Sequence, residues 1–332
     1  MKILLRLLGC VVGFVALALP GALAQQPAFS IQLVSTFDYP GTGNQTRPQK
    51  INDNGDIAGV YVDSGGISHG FTRLANGRFS APIDDPNSPT PFTEGRGINN
   101  SRVVCGDYTD SAGAFEGFFL TGHTFTNYDI EPTFTIVLGI NNVGDFSGSV
   151  IPSSGIQSAF VSIGGNVTEF VANPSATATL AYQINASNTS CGYYIDSSAV
   201  THGYYRDPNG TIHGRIDPAG STGTIVFGNN DANFIVGRYA DAAALTHGFL
   251  FLPSRRTFVI YDFPGATFTS LNGINNRNLI CGRYTDPNTG IDHGIIARVV
   301  RSADSPVVPL VSDSEQMRAL PHQPAANTNP AY

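Results

Sequence analysis

The stretch at residues 274–294 reads INNRNLICGRYTDPNTGIDHG and places several reactive side-chain types close together. A thiol and an imidazole, here Cys281 and His293, are ligands for a transition metal. A carboxylate beside an imidazole, as at Asp292 and His293, can provide general acid–base catalysis in a hydrolase. Whether this set is an active site or a structural motif depends on whether it occurs only once.

The pattern occurs six times along the chain. Related stretches lie at 51–70, 98–110, 140–148, 184–203 and 229–248, and each copy has a glycine seven residues after an asparagine. The asparagines are Asn52, Asn99, Asn141, Asn185, Asn230 and Asn275. The glycines, called anchor glycines below, are Gly59, Gly106, Gly148, Gly192, Gly237 and Gly282, spaced 47, 42, 44, 45 and 45 residues apart. A period near 45 residues indicates a repeat architecture.

Each repeat predicts four short strands. The asparagine begins a turn such as Asn52-Asp53-Asn54-Gly55, which favours a hairpin. A strand around the anchor glycine follows, then an aspartate-containing turn, a strand from His-Gly-Phe, and a last strand before an Asp-x-Pro-Gly turn. The apolar residues are largely Val, Ile, Phe and Tyr, and no segment after residue 24 shows sustained helical spacing. We therefore predict an all-β fold.

The two ends of the repeat array predict how it closes. Phe37-Asp38-Tyr39-Pro40-Gly41 resembles the last strand of a repeat but precedes the first asparagine, while the sixth repeat stops after His293-Gly294-Ile295-Ile296 without that strand. The N-terminal strand can therefore complete the last repeat, which fits a ring with protected edges. We predict that residues 25–301 form a six-bladed β-propeller of four-stranded repeats.

The termini differ in composition from the repeats. Lys2 and Arg6 precede an apolar run that ends before Ala22-Leu23-Ala24, which predicts a signal peptide at residues 1–24 and export to the extracellular space or periplasm. This run is too short for a comfortable membrane span, and no later segment is longer, so we expect no membrane span. Residues 302–332 are rich in Pro, Ala and Asn and predict a disordered tail.

The charge balance argues against nucleic acid as a partner. Without residues 1–24 the chain has 16 basic against 25 acidic residues, a net charge of −9, and Lys50 is its one lysine. A phosphate-binding surface needs clustered Lys and Arg. Although length alone would suggest two domains, the repeat overrules that estimate. We expect a monomer that needs no cofactor.

The repeat motifs resemble a known family. The combination of Gly-Ile-Asn, a Gly-x-Tyr-x-Asp turn, His247-Gly248-Phe249 and Asp262-Phe263-Pro264-Gly265 is similar to the bacterial extracellular HAF repeats, named for His-Ala-Phe. The resemblance covers about residues 31–298. It departs in having Gly in place of Ala, and the second and third repeats lack the histidine. The resemblance implies a secreted, propeller-like protein and no established activity.

Four histidines and ten aspartates recur at fixed positions. His69, His202, His247 and His293 could form a ring of ligands or bases, but we favour a structural role in which each ring ties the turn of its own blade. Aspartates four residues after the anchor glycine, and others before the Pro-containing turn, are explained as acceptors in Asx-turns. Calcium is the alternative, but only Asp53-Asn54-Gly55-Asp56 approaches a calcium loop.

Three cysteines directly precede anchor glycines in alternate repeats: Cys105, Cys191 and Cys281. Alternate blades should separate them beyond the roughly 7 Å Cα limit for a disulfide. We expect three free, buried thiols and no metal, with a three-thiolate metal site as the alternative if the side chains point inward.

The position after the anchor glycine, called the variable position, differs most between repeats: Val60, Asp107, Ser149, Tyr193, Arg238 and Arg283. If its strand lines the central channel, Arg238 and Arg283 lie on neighbouring blades and could bind a carboxylate or phosphate. Asp107 and Tyr193 would add polar contacts. The alternative is that an arginine pairs with a nearby aspartate on the solvent face.

These observations favour a secreted binding module for a glycan, a small anionic ligand or a protein partner. The chain has no nucleophile elbow, zincin motif or phosphate-binding glycine loop, which weakens an enzymatic interpretation without excluding it. The alternative is an extracellular polysaccharide hydrolase or lyase that uses residues breaking the repeat, namely His123, His213, Glu94, Glu116 and Glu169. A third possibility is a surface or matrix structural protein.

Overall fold

The computed structural model describes residues 29–41, 43, 45–89, 92–153 and 155–301. The predicted signal peptide and C-terminal tail lie outside the described residues. The described part is all-β and forms six antiparallel blades in a ring, which confirms the predicted six-bladed propeller. No helix occurs in this part of the chain, so none there is long and apolar enough to cross a membrane.

The first three blades follow the chain in order. Blade 1 consists of β2 (Gln45–Ile51), β3 (Ile57–Val62) and β4 (Ser68–Arg73). Isolated bridges from Gly70 to Ile83 and from Arg73 to Phe79 replace a regular fourth strand in this blade. Blade 2 consists of β5 (Thr93–Ile98), β6 (Val104–Thr109), β7 (Phe115–Thr121) and β8 (Thr124–Tyr128). Blade 3 consists of β9 (Thr135–Ile140), β10 (Phe146–Val150), β11 (Ser158–Ile163) and β12 (Asn166–Phe170).

The last three blades complete the ring. Blade 4 consists of β13 (Ala178–Ile184), β14 (Ser190–Ile195), β15 (Thr201–Arg206) and β16 (Ile212–Gly214). Blade 5 consists of β17 (Gly223–Asn229), β18 (Ile235–Ala240), β19 (Thr246–Leu252) and β20 (Thr257–Tyr261). Blade 6 consists of β21 (Thr269–Ile274), β22 (Leu279–Thr285), β23 (Asp292–Arg301) and, from the other end of the chain, β1 (Phe29–Phe37).

The strand β1 closes the ring as predicted. It pairs antiparallel with β23, from Phe29 opposite Arg301 to Phe37 opposite Gly294. The hydrophobic core is divided into layers between neighbouring blades; one layer, for example, joins Phe37 and Cys281 of blade 6 to Ile57 and Phe71 of blade 1. The N-terminal strand thereby removes an exposed sheet edge and completes two apolar layers.

The innermost strands are the first of each blade, β2, β5, β9, β13, β17 and β21, and each contacts the next around the axis. All six carry a β-bulge at the same place, where one residue has no partner on the second strand. The bulged residues are Gln49, Arg96, Leu138, Tyr182, Phe227 and Asn272. Because a bulge redirects its side chain and increases local twist, these six residues form one level around the axis.

The anchor glycines are required by the close approach that accompanies the bulge. At Gly106, a Cβ atom would overlap the backbone carbonyl oxygen of Glu94 and lie 2.8 Å from the ring of Phe118. The same pair of obstacles, a carbonyl and a phenylalanine ring, surrounds Gly148 and Gly237. The anchor glycine and the phenylalanine of His-Gly-Phe are therefore one packing unit.

Candidate functional site

The repeat asparagines form a closed ring at the end of the axis where the innermost strands finish. Each side-chain amide donates to the backbone carbonyl of the equivalent asparagine in the next blade, in the order Asn52, Asn99, Asn141, Asn185, Asn230, Asn275 and back to Asn52. Each side-chain oxygen accepts backbone N–H groups of its own turn, as Asn275 does from Arg277 and Leu279. We call this end of the axis the asparagine mouth.

A small polar cavity of about 50 Å³ lies at the asparagine mouth. Asp53 lies at the middle of its hydrogen bonds: one carboxylate oxygen accepts hydrogen bonds from the side-chain amides of Asn100, Asn142 and Asn276. Burial alone would raise the pKa of Asp53, but the hydrogen bonds from Asn100 and Asn276 outweigh it and hold that pKa below its usual value. The polar groups here satisfy one another, which indicates a structural role.

The repeated histidines have the predicted structural role. In each of the four, Nδ1 is hydrogen-bonded to the aspartate before the Pro-containing turn: His69 to Asp84, His202 to Asp217, His247 to Asp262 and His293 to Asp38. In His202 and His247, Nε2 also contacts the aspartate of the preceding hairpin. In blade 2, Glu116 stands in this place, and burial, together with Asp129 and Asp110, raises its pKa.

The hairpin aspartates are confirmed as Asx-turn acceptors. Asp241, for example, accepts the backbone N–H groups of Ala243 and Leu245, and Asp110 accepts those of Ala112 and Ala114. Within the described residues, no group of three or more His, Cys, Asp or Glu side chains is arranged to hold a metal ion.

The three cysteines are free and fully buried, as predicted. Burial raises the pKa of each thiol to about 12, and in all three the charge of Lys50 is the largest influence that opposes this rise. The thiols lie in the apolar layers between neighbouring blades and are protonated and unreactive near neutral pH.

The variable position does not lie on the strand that lines the axis. It lies on the second strand of each blade, directly opposite the residue that follows the threonine of the innermost strand, as Arg238 lies opposite Ile225 and Arg283 opposite Ser270. The innermost strand separates it from the axis, so only long side chains can reach the end of the axis where these strands begin.

Asp107 forms an ion pair within blade 2 and is not available to a ligand. Its Oδ1 atom accepts a 2.8 Å hydrogen bond from Nε of the bulged residue Arg96, whose guanidinium also contacts Glu94. Burial alone would lower the pKa of Arg96, but Asp107 beside it raises it above the usual value. Asp107 is 1% exposed, so it positions Arg96 instead of facing a ligand.

Arg283 is also paired, as the alternative interpretation proposed, but with a buried aspartate. Its Nη1 lies 3.1 Å from Oδ2 of Asp292, the same oxygen that accepts a 2.7 Å hydrogen bond from Nε of Arg47. Burial, with Arg238 and Arg47 nearby, lowers the pKa of Arg283 to about 10 although Asp292 opposes the shift. One carboxylate is thus shared between two arginines.

Arg238 is held differently, between two aromatic rings. Its guanidinium carbon lies 5.3 Å from the ring centre of the bulged Phe227 and 5.2 Å from that of Phe268. The guanidinium carbon of Arg283 also lies 5.0 Å from the ring centre of Phe268. The side chain of Arg238 forms no ion pair or hydrogen bond with another described residue. Burial lowers its pKa.

Tyr193 completes this surface with the bulged Tyr182. Their ring centres are 5.8 Å apart, and Tyr182 packs edge-on against Phe227 at 5.1 Å. Burial raises the pKa of Tyr193, while Arg238 and Arg96 act in the opposite direction, so both guanidinium groups are close to this phenol. We call this end of the axis the arginine mouth, defined by Arg47, Arg96, Tyr193, Arg238 and Arg283.

The two sides of the arginine mouth differ in polarity. Blades 5, 6, 1 and 2 contribute the arginines, whereas blade 3 contributes the buried Ile136 and Leu138 at the equivalent positions. Two buried polar atoms at this mouth have no hydrogen-bond partner among the described residues, Asp107 Oδ2 and Arg283 Nε. Unpaired buried polar atoms are uncommon in folded proteins, and these two lie beside the ion pairs of Asp107 and Arg283.

The five residues that break the repeat do not share one place. Glu94 alone lies on an innermost strand; Glu116 lies on β7, Glu169 on β12 and His123 in the turn between β7 and β8. His213, on β16, is hydrogen-bonded to Asp207 and borders a cavity of about 110 Å³ between blades 4 and 5. In the described part of the chain, these five side chains therefore do not form an acid–base pair.

Sequence reasoning missed the bulged residues and the pairing of Asp292 with two arginines. The bulge itself leaves a signal, because each innermost strand reads Thr, four further residues, then Ile or Asn and Asn, as in Thr93 to Asn99 and Thr135 to Asn141. Within that frame the fourth residue varies from Arg to Leu to Tyr. Asp292 had no such signal, because its partners Arg47 and Arg283 come from opposite ends of the chain.

Neither the comparison with protein-family models nor that with curated proteins gave a match. The resemblance to HAF repeats therefore stays a prediction from the motifs.

Proposed function

We propose that the protein is a binding module whose arginine mouth holds a small anionic ligand, with acidic sugars as the first class to test. The observation that carries this proposal is that the guanidinium group of Arg238 packs on aromatic rings but has no hydrogen-bond acceptor among the described residues. Its two faces are covered by Phe227 and Phe268, while its N–H groups bond to no described residue. A guanidinium offers a planar fork of donors that fits a carboxylate or phosphate with two parallel hydrogen bonds.

Desolvation of Arg238 is compensated only in part: Tyr182, Tyr193 and Asp292 oppose the lowering of its pKa, but no described residue forms an ion pair or hydrogen bond with its guanidinium. Partial burial disfavours its charged form, as the lowered pKa reflects, and desolvating a charge without a bonded partner is costly. Arg283 suffers the same burial but is compensated by Asp292. A bound anion would compensate Arg238, and the phenols of Tyr182 and Tyr193 would add hydrogen-bonding groups to the sugar ring.

The test is calorimetric titration of the full chain with glucuronate and galacturonate, against glucose and galactose as neutral analogues. Loss of a charged hydrogen-bonding partner costs about 1.5–3 kcal/mol, so Arg238→Ala should weaken binding roughly 10- to 100-fold. Arg238→Lys should restore only part of the affinity because lysine lacks the fork. Arg277→Ala, an exposed arginine at the asparagine mouth, is the matched control and should bind normally.

Equal affinity for acids and neutral sugars, or unchanged affinity in Arg238→Ala, would contradict the proposal. If no acidic sugar binds, the same titration with sulfate, phosphate and succinate separates a wrong ligand class from a mouth that binds no anion. Binding to the mouth should also weaken as salt increases, because ions screen the charges. Export through the N-terminal segment remains part of the proposal and rests on the sequence.

A further inference from the structure

Lys50 occupies a position where four of the six blades have glycine. It follows the bulge on β2, and the equivalent residues are Gly97, Gly139, Gly228 and Gly273, with Gln183 in blade 4. At this level neighbouring innermost strands touch, since a Cβ on Gly273 would lie 2.9 Å from Cα of Lys50. Lys50 therefore carries a long side chain at a level where the backbones of neighbouring blades are in close contact.

The ammonium group of Lys50 reaches across the ring. Its Nζ atom lies 5.6 Å from the ring centre of Tyr182, which belongs to blade 4, opposite blade 1. The thiols of Cys105, Cys191 and Cys281, from three alternate blades, all influence it electrostatically, as does Arg96. These relationships place Nζ close to the axis, between the glycine level and the bulged residues of the arginine mouth.

Lys50 has no polar partner in the described part of the chain. It is 5% exposed, and no described residue forms an ion pair or hydrogen bond with it. The titratable side chains that act on it electrostatically are the three protonated thiols and the cation Arg96, and Tyr182 presents only its ring; none of them forms an ion pair with the ammonium. Burial accordingly lowers the pKa of Lys50 to about 8.

A desolvated lysine beside another cation is the arrangement that makes an amine nucleophilic at neutral pH. Its lone pair is available in the neutral form, and no acceptor or carboxylate competes for it. A lysine used only for packing would be replaced without loss by a neutral side chain of similar length. A nucleophilic lysine can be distinguished from a packing lysine because it adds to a carbonyl group.

We propose that Lys50 is a covalent site for an aldehyde or ketone, which it binds as an imine at the axis. The Nζ lone pair adds to the carbonyl carbon, and proton transfer gives a neutral carbinolamine. Loss of its hydroxyl with the remaining N–H proton releases one water and leaves a C=N bond. The step is a condensation that needs no oxidant or reductant, and uptake of one proton from solvent gives the iminium.

The site goes beyond the anionic ligand proposed for Arg238 and does not depend on it. A ligand with a carbonyl and a carboxylate could use both sites, because Arg96 and Tyr182 adjoin Lys50 and the arginine mouth alike. Glyoxylate is such a ligand, and acetaldehyde carries the carbonyl alone. Comparing the two separates the covalent site from the anion site.

The experiment is reductive trapping of the full chain with each aldehyde and cyanoborohydride, followed by peptide mass spectrometry. The sequence has only two lysines, Lys2 and Lys50, so Lys50 is read without ambiguity, and the N-terminal amine is an internal reference. At pH 7 an amine with a pKa of about 8 has a neutral fraction a few hundredfold that of an ordinary lysine. We expect Lys50 to be modified at least tenfold faster in the folded than in the guanidinium-unfolded chain.

Lys50→Arg keeps the charge and should give no adduct at this position, and Lys50→Met tests whether the amine matters for folding. The wild-type measurement alone decides if these variants fail to fold. Modification of Lys50 only after unfolding, while the N-terminal amine reacts in both states, overturns the proposal. Trapping that rises with pH and levels off above about 8 supports it.

The Arg238→Ala variant makes the two proposals distinguishable. If both proposals hold, it should slow trapping of glyoxylate and leave trapping of acetaldehyde unchanged. Equal glyoxylate rates in Arg238→Ala and wild type would contradict the anion site and leave the imine site standing. No trapping of either aldehyde by the folded protein would contradict the imine site alone.

Discussion

The side-chain amide of Asn275 in blade 6 donates a 2.7 Å hydrogen bond to the backbone carbonyl of Asn52 in blade 1. These residues are 223 positions apart, yet their contact is the same one that joins every other pair of neighbouring blades. It closes the asparagine ring at the place where the β1 strand closes the sheet of blade 6. The ring is therefore closed twice: near the axis by the hydrogen bond from Asn275 to Asn52, and at the outer edge by the pairing of β1 with β23.

Asn275→Ala should destabilise the propeller. The change removes the donor to Asn52 and leaves the N–H groups of Arg277 and Leu279 without their acceptor. Unsatisfied buried groups cost about 1–3 kcal/mol, which chemical denaturation can measure. Asn166→Ala on β12, where the amide makes one exposed 3.5 Å contact, should change the free energy of unfolding by less than about 0.5 kcal/mol. Equal effects of the two changes would show that the ring is not stabilising.

Stability should fall as pH rises above about 6.5, because His247 and His293 lose their charge. Burial opposes charging of His247, but its bonds to Asp262 and Asp241 outweigh it and raise the pKa; in His293 the bond to Asp38 raises it. A raised folded-state pKa stabilises below the unfolded value near 6.5, and the contribution is lost as pH rises through the folded value. The unfolding temperature should therefore be higher at pH 6 than at pH 8.

The double variant His247→Asn, His293→Asn provides the control for that pH dependence. Asparagine keeps a hydrogen-bond donor but does not titrate, so the decrease from pH 6 to pH 8 should become smaller. A decrease of unchanged size in the variant would assign the pH dependence to other groups.

Gly106→Ala should destabilise far more than an ordinary Gly→Ala change. The added Cβ would overlap the Glu94 carbonyl and press on the ring of Phe118, both fixed by the bulge. Overpacking of this kind costs about 1–3 kcal/mol or more. Gly214→Ala is the matched control, because its Cβ would meet only Tyr194 at 3.7 Å, an ordinary contact. Thermal unfolding of both variants checks the difference, and equal melting temperatures would contradict the role of the bulge.

Cys105, Cys191 and Cys281 should resist thiol reagents in the folded protein. Full burial and a pKa of about 12 leave almost no thiolate at pH 8. Peptide mapping after iodoacetamide should show these three unmodified, and modified once the chain is unfolded. Fast modification of any one in the native state would mean that the apolar layers between blades open.

Asp292→Asn should strengthen anion binding while it weakens the fold. The change removes the charge shared by Arg47 and Arg283 and leaves both guanidinium groups uncompensated beside Arg238. Breaking a buried pair is destabilising by roughly 3–5 kcal/mol, less where the partners are partly exposed. Titration with glucuronate should give a lower Kd than for the wild type. A weaker Kd would mean that Asp292 orients the mouth instead of neutralising it.

The sequence by itself determined the number of blades, their closure and the roles of the repeated residues. These features depend on contacts that recur at fixed spacing, such as the bond from His247 to Asp262 or the turn around Asp241, so every copy repeats the same evidence. Repetition at six places separates a structural asparagine from a catalytic one without any knowledge of the tertiary structure.

The tertiary structure decided which side chains meet at the axis. The bulge shifts register by one residue and redirects Arg96 and Tyr182, and a one-residue shift moves a side chain to the other face of a strand. Arg238 and Arg283 look alike in sequence, but only Arg283 meets a carboxylate, because Asp292 is folded beside it. The sequence showed Lys50 as a lone lysine but not its burial, which results from strands that are far apart in the chain and converge only in the ring.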